Sequence, residues 1–384
     1  MTSAPRVLVL HNRYRLPGGE ERAVELHTAA LSAAGIAHEL LEADSSAAGP
    51  ARAASALLAG GGQEREVDAA VRSLGATVAH VHNMQPLLGP RALAAARAAG
   101  ARVVITLHNF RLFCAIAVAF RDGEPCFRCR GRMTLPGLAL NCRGSLPEAA
   151  AYAVGLSAHL PAVLDAVDAF VAPSHHAAGQ LARLGVPARR LHVVPHYVPE
   201  EAIAARSRAG DGRFVLYAGR LSEEKGVAVA VEAAVHAGVP LVVAGEGPLE
   251  GELRERAAGA RPEAVTLLGR VDRPRLGGLL AEAAAVVVPS LWDETFGYAA
   301  LEAMAAGVPV VASRTGGLPE VVGEAGCVPR GDAGALATAL RNLWEDPARR
   351  EAEGDALIAR ARERFGRERH TERLLAVYAA VERG

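Results

Sequence analysis

Two scales of patterning run along this chain. Short runs dense in Val, Leu and Ile are separated by longer Ala-rich stretches whose apolar residues recur at helical spacing. In the first half the short runs are "RVLVL", "HELLEA", "VAHVHN", "RVVITLHN", "AFVAPS" and "LHVVPH". In the second they are "RFVLYAGR", "PLVVAGEG", "AVTLLGRV", "AVVVPS" and "VPVVAS". Strands that are apolar on successive residues belong to parallel sheets covered by helices on both faces. The pattern is a doubly wound α/β domain, present twice. A chain of 384 residues is too long for one ordinary core and suits two domains. The boundary falls near 196–212, where "PHYVPEEAIAARSRAGDGR" carries proline, glycine and charge but no strand. The final stretch, "TERLLAVYAAVER", has helical spacing at Leu374, Leu375, Tyr378 and Val381 and needs another surface to bury that face.

Composition narrows the function. Basic and acidic residues balance at 42 each, and the hydrophobic share is 51%. A neutral chain lacks the concentrated basic excess of nucleic-acid binders and has no polybasic membrane arm. The stretch 149–170 is apolar but interrupted by His159, Pro161, Asp165 and Asp168, so it does not read as a membrane span. The start shows no secretory leader, which makes a cytoplasmic protein the expectation, compatible with weak peripheral membrane contact. Polar residues gather where strands end: His11-Asn12, His82-Asn83, His108-Asn109, His175-His176 and His196. In open α/β sheets that edge lines the ligand crevice. Any one such histidine is more often a hydrogen-bonded loop residue, so the set suggests a polar wall without naming a catalyst.

One lysine stands among 42 basic residues: Lys225, in "GRLSEEKGV". It follows a strand, Gly219 and Arg220, and precedes Gly226 and a helix. Helix N-termini attract anions, and a compact ammonium fits among phosphate oxygens where a broad guanidinium intrudes. The spacing is not that of a Walker loop, and no G-x-G-x-x-G follows the first strand. A second motif, "PSLWDETFGYAALEAMAAGVPVVAS", sets Glu294 before a helix and Glu302 within it. Eight helical residues would separate them by about 12 Å. They suit the two ends of an extended ligand, not one acid–base pair. Gly297 lets backbone approach that ligand. Taken singly, either glutamate reads as solvated helix surface.

"AGRLSEEKG", "VAGEGPLE", "VPSLWDETFGYAALEAMAAGVPVVAS" and "GGLPEVV" occur in that order. Together they resemble the nucleotide-sugar half of the family 4 glycosyltransferases, which are retaining enzymes of GT-B fold. The resemblance is strong over 212–345 and looser in the first half, through "PGGEERAV" and "TLHNFR". It implies two Rossmann-like domains facing across a cleft: 1–199 with 367–384 on the acceptor side, and 212–366 binding the donor. The last helix would cross back to the first domain. By the same resemblance, Gly219, Arg220 and Lys225 would meet the donor diphosphate, and Glu302 would hold the ribose hydroxyls. Glu294, with the backbone of Phe296 and Gly297, would contact the donor sugar. Gly18 and Gly19 would form a backbone turn near the reacting centre, and His108 would face the sugar. His108, Arg220, Lys225 and Glu294 are therefore the expected catalytic group. The expected reaction moves a hexosyl group from a nucleotide diphosphate sugar, UDP-linked rather than GDP-linked, to a hydroxyl of a glycan, lipid-linked saccharide or small metabolite. No catalytic metal is expected, since fixed cations neutralise the leaving group and there is no Asp-x-Asp. The other readings are a sugar phosphorylase or epimerase on this scaffold, and a non-catalytic nucleotide-sugar binder.

Two features depart from the family pattern. Asn109 stands where Asp often follows the strand-end His, and Pro195-His196-Tyr197 replaces Pro-Asn-Gly. Four of five cysteines, Cys114, Cys126, Cys129 and Cys142, fall in one turn-rich segment. A C-x2-C pair with two flanking thiols suits a structural zinc, with ordinary reduced thiols or disulfides as alternatives. Cys327 reads as a small buried residue.

Overall fold

The computed structural model describes residues 4–13, 18–45, 48–258 and 264–383; Pro17 of "PGGEERAV" lies outside them. The chain divides into two compact units. One comprises Met1–Ala119, Cys126–Pro195 and Glu368–Gly384, the other Phe120–Pro125 and His196–Arg367.

The strands, in chain order, are β1 (Val7–Arg13), β2 (His38–Asp44), β3 (Val78–Asn83), β4 (Arg102–Thr106), β5 (Phe120–Arg121), β6 (Glu124–Pro125), β7 (Ala169–Ala172), β8 (Leu191–Val193), β9 (Phe214–Ala218), β10 (Leu241–Ala244), β11 (Val265–Gly269), β12 (Ala283–Val288), β13 (Val310–Ser313) and β14 (Cys327–Val328). The first unit holds a six-stranded sheet ordered β2-β1-β3-β4-β7-β8. All its pairings are parallel. Val7–Leu10 are fully buried, as a doubly covered central strand requires. β2 is an edge strand with much of its length exposed, which explains why "HELLEA" carries so many polar residues. The Arg367–Arg383 helix belongs to this unit from Glu368 onward. Its Leu374, Val377, Tyr378 and Val381 share a core with Val7, Val9, Val78 and Val104. The Leu146–Ala166 helix is long and apolar enough to span a membrane by length and composition. Its Ala149, Ala153, Leu156, Leu160 and Val163 are buried in the same unit, as for a core helix.

The second unit repeats the plan with order β11-β10-β9-β12-β13-β14, again parallel in every pairing. Apolar clusters cover both faces of this sheet. The connections leave β9 and β12 in opposite directions. The carboxyl ends of those two strands are therefore the switch point of the sheet. β14 and the β5–β6 hairpin are additions to the strands read from sequence. The hairpin turns at Asp122 (φ 52°) and Gly123 (φ 80°), the Asp-Gly pair that suits a type I′ turn. β14 carries Cys327, which is buried as expected.

Candidate functional site

In the second unit the switch-point loops hold the charged residues singled out by sequence. After β9 the chain runs through Gly219 and Arg220 into a single 3-10 turn, Glu223–Lys225, and then into the Val227–Ala237 helix. Gly226 joins the two at φ 67°, and a Cβ there would overlap the Pro289 carbonyl oxygen. Only glycine lets the loop after β9 lie this close on the loop after β12. The amides of Leu291 and Trp292 donate to the Glu224 carbonyl at 2.8 and 3.2 Å, fastening the two loops.

The Lys225 ammonium donates to Glu294 Oε2 at 2.9 Å and Oε1 at 3.2 Å. Oε2 also accepts from Ser290 Oγ at 2.9 Å and Trp292 Nε1 at 2.8 Å. The ammonium lies 4.9 Å from the centre of the Trp292 ring. Arg220 pairs with the Glu224 carboxylate, which also accepts from Ser222 Oγ at 2.7 Å. Burial would raise the Glu224 carboxyl, but Arg220 and the Ser222 hydroxyl outweigh it and hold the group below its usual range. The two cations thus lie five residues apart in one loop, each balanced by a carboxylate.

Glu294 is also fixed through its backbone. Its carbonyl accepts from Gly317 N at 2.6 Å. Gly316 (φ 58°) passes so near that a Cβ would overlap the Glu294 backbone. The "GGLPEVV" motif is therefore the back support of Glu294. The helix carrying Glu302 starts at Tyr298, so Glu294–Gly297 is not helical and the 12 Å axial separation does not apply. Glu302 is half-buried within that helix. Phe296 is a core side chain, edge-on to His196, Tyr298 and Phe365, which leaves its backbone as the part able to meet a ligand.

In the first unit Gly18 and Gly19 begin the Gly19–Ala33 helix, and Glu21 accepts from the Gly18 amide at 2.7 Å. The neighbouring Glu20 accepts a hydrogen bond from the Asn109 side-chain amide. This pairing gives the family departure a reason. Asp at 109 would set two carboxylates together, whereas Asn donates. Asn12 and Asn83 are engaged in bracing loops: Asn83 Nδ2 donates to the Asn12 carbonyl at 2.7 Å, and Asn12 Oδ1 accepts from Leu87 N at 3.0 Å. His11 is buried with no hydrogen-bond partner on either ring nitrogen, and its Nε2 is 3.8 Å from Glu21.

Sequence reading missed what stands behind His108. Its Nε2 meets His82 Nδ1 at 2.9 Å, and His82 Nε2 meets His27 Nδ1 at 2.5 Å. His27 Nε2 meets Tyr378 Oη at 2.9 Å, Tyr378 meets His80 Nδ1 at 2.7 Å, and His80 Nε2 meets Thr106 Oγ1 at 2.7 Å. The spacing His80-x-His82 on one strand was visible, but His27 and Tyr378 come from distant helices. Burial, followed by neighbouring histidines, lowers His27 and His82 well below the usual range and takes His80 and His108 to about 3. Burial also lowers His370 to about 4, against a hydrogen bond to Pro195 O that raises it. The unfolded chain binds protons on these rings near pH 6.5, while the folded chain resists until well below that, near pH 3 at His80 and His108 and near pH 4 at His370. Their contribution to stability is therefore complete above pH 6.5 and is lost as pH falls. The urea midpoint should drop measurably between pH 7 and 5, where carboxylates still carry their charge. A midpoint flat over that interval would show that the rings are not held neutral.

The structure brings the four thiols of the expected zinc site near one another: Cys129 feels Cys114, Cys142 and Cys126, and Cys114 feels Cys142. None of the four is in a disulfide, and all are partly exposed. The Cys114 sulfur is shifted upward by burial and faces the amides of Ile116, Ala119 and Ala117; burial takes Cys129 to about 11. Among the described residues, the set of three ligand-type atoms within 4.8 Å of one another is His27, His80 and His82, with no cysteine in it. Apolar packing also orders the segment. Phe110, Leu112, Phe113, Ala115, Ala117 and Phe120 are buried. Backbone bonds Phe110 N to Ala117 O, Cys114 N to Phe110 O and Cys126 N to Ala119 O close its turns.

Two Rossmann-like sheets, with paired cations at the second one's switch point, define the class: a GT-B glycosyltransferase fold. The model of the family "Glycosyl transferases group 1" matches residues 199–364, and that of "Glycosyltransferase Family 4" matches 17–202. The chain belongs to the family 4 glycosyltransferases. It is 40% identical to glycogen synthase of Mycobacterium tuberculosis over 191 residues, 47% of this chain and 45% of that protein. It is 37% identical to D-inositol 3-phosphate glycosyltransferase 1 of Catenulispora acidiphila over 257 residues, 58% and 60% of the two. The matched stretches thus span about half the length of these curated relatives. Among solved structures, sucrose-phosphate synthase from Thermosynechococcus elongatus superposes with TM-score 0.69 at 20% identity, covering 98% of this chain and 99% of that one. Anabaena Alr3699/HepE in complex with UDP gives 0.67 at 18%, covering 98% and 100%.

Proposed function

We propose that this protein is a retaining glycosyltransferase. It moves a hexosyl group from a nucleotide diphosphate sugar to an acceptor hydroxyl on a glycan, lipid-linked saccharide or small metabolite, in the cytoplasm. The observation that carries the reading is the Lys225–Glu294 pair, held at the switch point by two loops that a glycine keeps in contact. Arg220, Lys225 and the backbone at Gly219 receive the donor diphosphate and neutralise it as it leaves. Glu294 and the backbone of Phe296 and Gly297 hold the sugar, and Glu302 holds the ribose. From the first unit, Gly18, Gly19 and His108 keep the roles that the family resemblance gives them. With two fixed cations supplying the charge, the transfer needs no metal ion, so a chelator should leave the rate unchanged.

UDP is the proposed nucleotide, in keeping with the UDP held by the HepE structure. GDP is the competing choice, because GDP-mannose-dependent mannosyltransferases of Mycobacterium tuberculosis are 37% identical over 35% of the chain. Thermal shift with UDP and GDP separates them. The bound nucleotide raises the midpoint by mass action, and only UDP should do so at low concentration. A shift with neither would contradict donor binding altogether.

A further inference from the structure

Thr106, His80, Tyr378, His27, His82 and His108 make one unbroken line of side-chain hydrogen bonds within the first unit. The line has five bonds, and each needs one proton. A neutral imidazole carries one N–H and one acceptor nitrogen, and Tyr378 has a single hydroxyl proton. With the buried Tyr378 proton also used in the line, the bonds can all be made in two ways. In one, Thr106 donates to His80, His80 to Tyr378, Tyr378 to His27, His27 to His82 and His82 to His108, which leaves the His108 proton on Nδ1. In the other every bond is reversed and His108 carries its proton on Nε2. A ring that breaks the sequence leaves two donors, or two acceptors, face to face in a buried site.

We propose that this chain sets the tautomer of His108, with Tyr378 on the C-terminal helix as its positioning residue. The inference rests on the reading of His108 as the group facing the donor sugar. It adds that the face His108 presents, donor or acceptor at Nδ1, is decided some residues deep in the core. Burial, which keeps all four rings neutral, supports the proton count. A metal held by His27, His80 and His82 is the competing account of the same cluster. Two imidazole nitrogens on one zinc ion lie about 3.4 Å apart, from bonds of about 2.0–2.1 Å in tetrahedral geometry. His27 Nδ1 and His82 Nε2 are 2.5 Å apart, too close for two ligands of one zinc ion and shorter than an ordinary hydrogen bond.

The test compares wild type with Tyr378→Phe by nitrogen-15 NMR of ring-labelled histidine, alongside transfer kinetics and metal analysis. Wild type should show one neutral tautomer for His108, and Tyr378→Phe should change its tautomer populations. If the variant does not fold, His27→Phe breaks the line one link nearer and should change His108 in the same way. Unchanged His108 resonances in a folded variant would overturn the proposal, as would a stoichiometric metal lost on replacing His27. Where the tautomer changes, kcat should fall on the order of tenfold or more with the donor KM little altered. A changed tautomer with unchanged kcat would leave the chain standing and sink the assignment of His108 to the reacting centre, so the two failures are distinct.

Discussion

Lys225→Ala should reduce transfer by about a thousandfold while the fold survives, the scale seen when one preorganised charge-stabilising group is removed from a site. Glu294 would keep Ser290 and Trp292 as donors, so its carboxylate would not be stranded. The loss should fall mainly on kcat, because the ammonium is most needed as charge builds on the leaving diphosphate. Lys225→Arg sharpens the prediction. A guanidinium can grip both Glu294 oxygens in parallel bonds, and that better pairing would hold the charge on the carboxylate and away from phosphate. Lys225→Arg should therefore fold at least as well as wild type and still transfer poorly. Steady-state kinetics on both variants, with circular dichroism as the folding control, checks this. Near-normal turnover by either would count against a role for the compact cation.

Gly316→Ala is the second large effect, and it touches no charged group. The new methyl would overlap the Glu294 backbone, at a φ of 58° that L residues seldom adopt. Relief requires the Glu294 loop to move, at a cost of about 2–3 kcal/mol in strain and repacking. Donor affinity and turnover should fall together, since Glu294 and its partner Lys225 both lose their position. Isothermal titration with UDP on the folded variant measures this directly. Unaltered affinity would mean that the placement of Glu294 is unimportant for the donor.

Much of this architecture was legible in the residues. Each apolar run in the second half became a strand of one parallel sheet, because burial on both faces leaves little choice of residue. Lys225 and Glu294 stood out by composition and motif, yet their pairing did not, since 69 residues separate them and only the switch point brings their loops together. The 12 Å spacing failed because the helix starts at Tyr298, four residues after Glu294, so the eight residues are not all helical. The packing of the cysteine segment was hidden for a different reason. Its polar and turn-forming residues are conspicuous, whereas the buried Phe110, Phe113 and Phe120 that anchor it are dispersed. The line behind His108 was illegible beyond His80 and His82, because His27 and Tyr378 enter it through tertiary packing 351 residues apart.

A crystal structure of the chain with UDP is the most direct measurement. The account predicts the diphosphate at the loop after β9, with a phosphate oxygen within about 3 Å of the Lys225 ammonium and the nucleotide reaching the Tyr298–Ala305 helix. UDP bound elsewhere, with Lys225 still engaged by Glu294 alone, would contradict it.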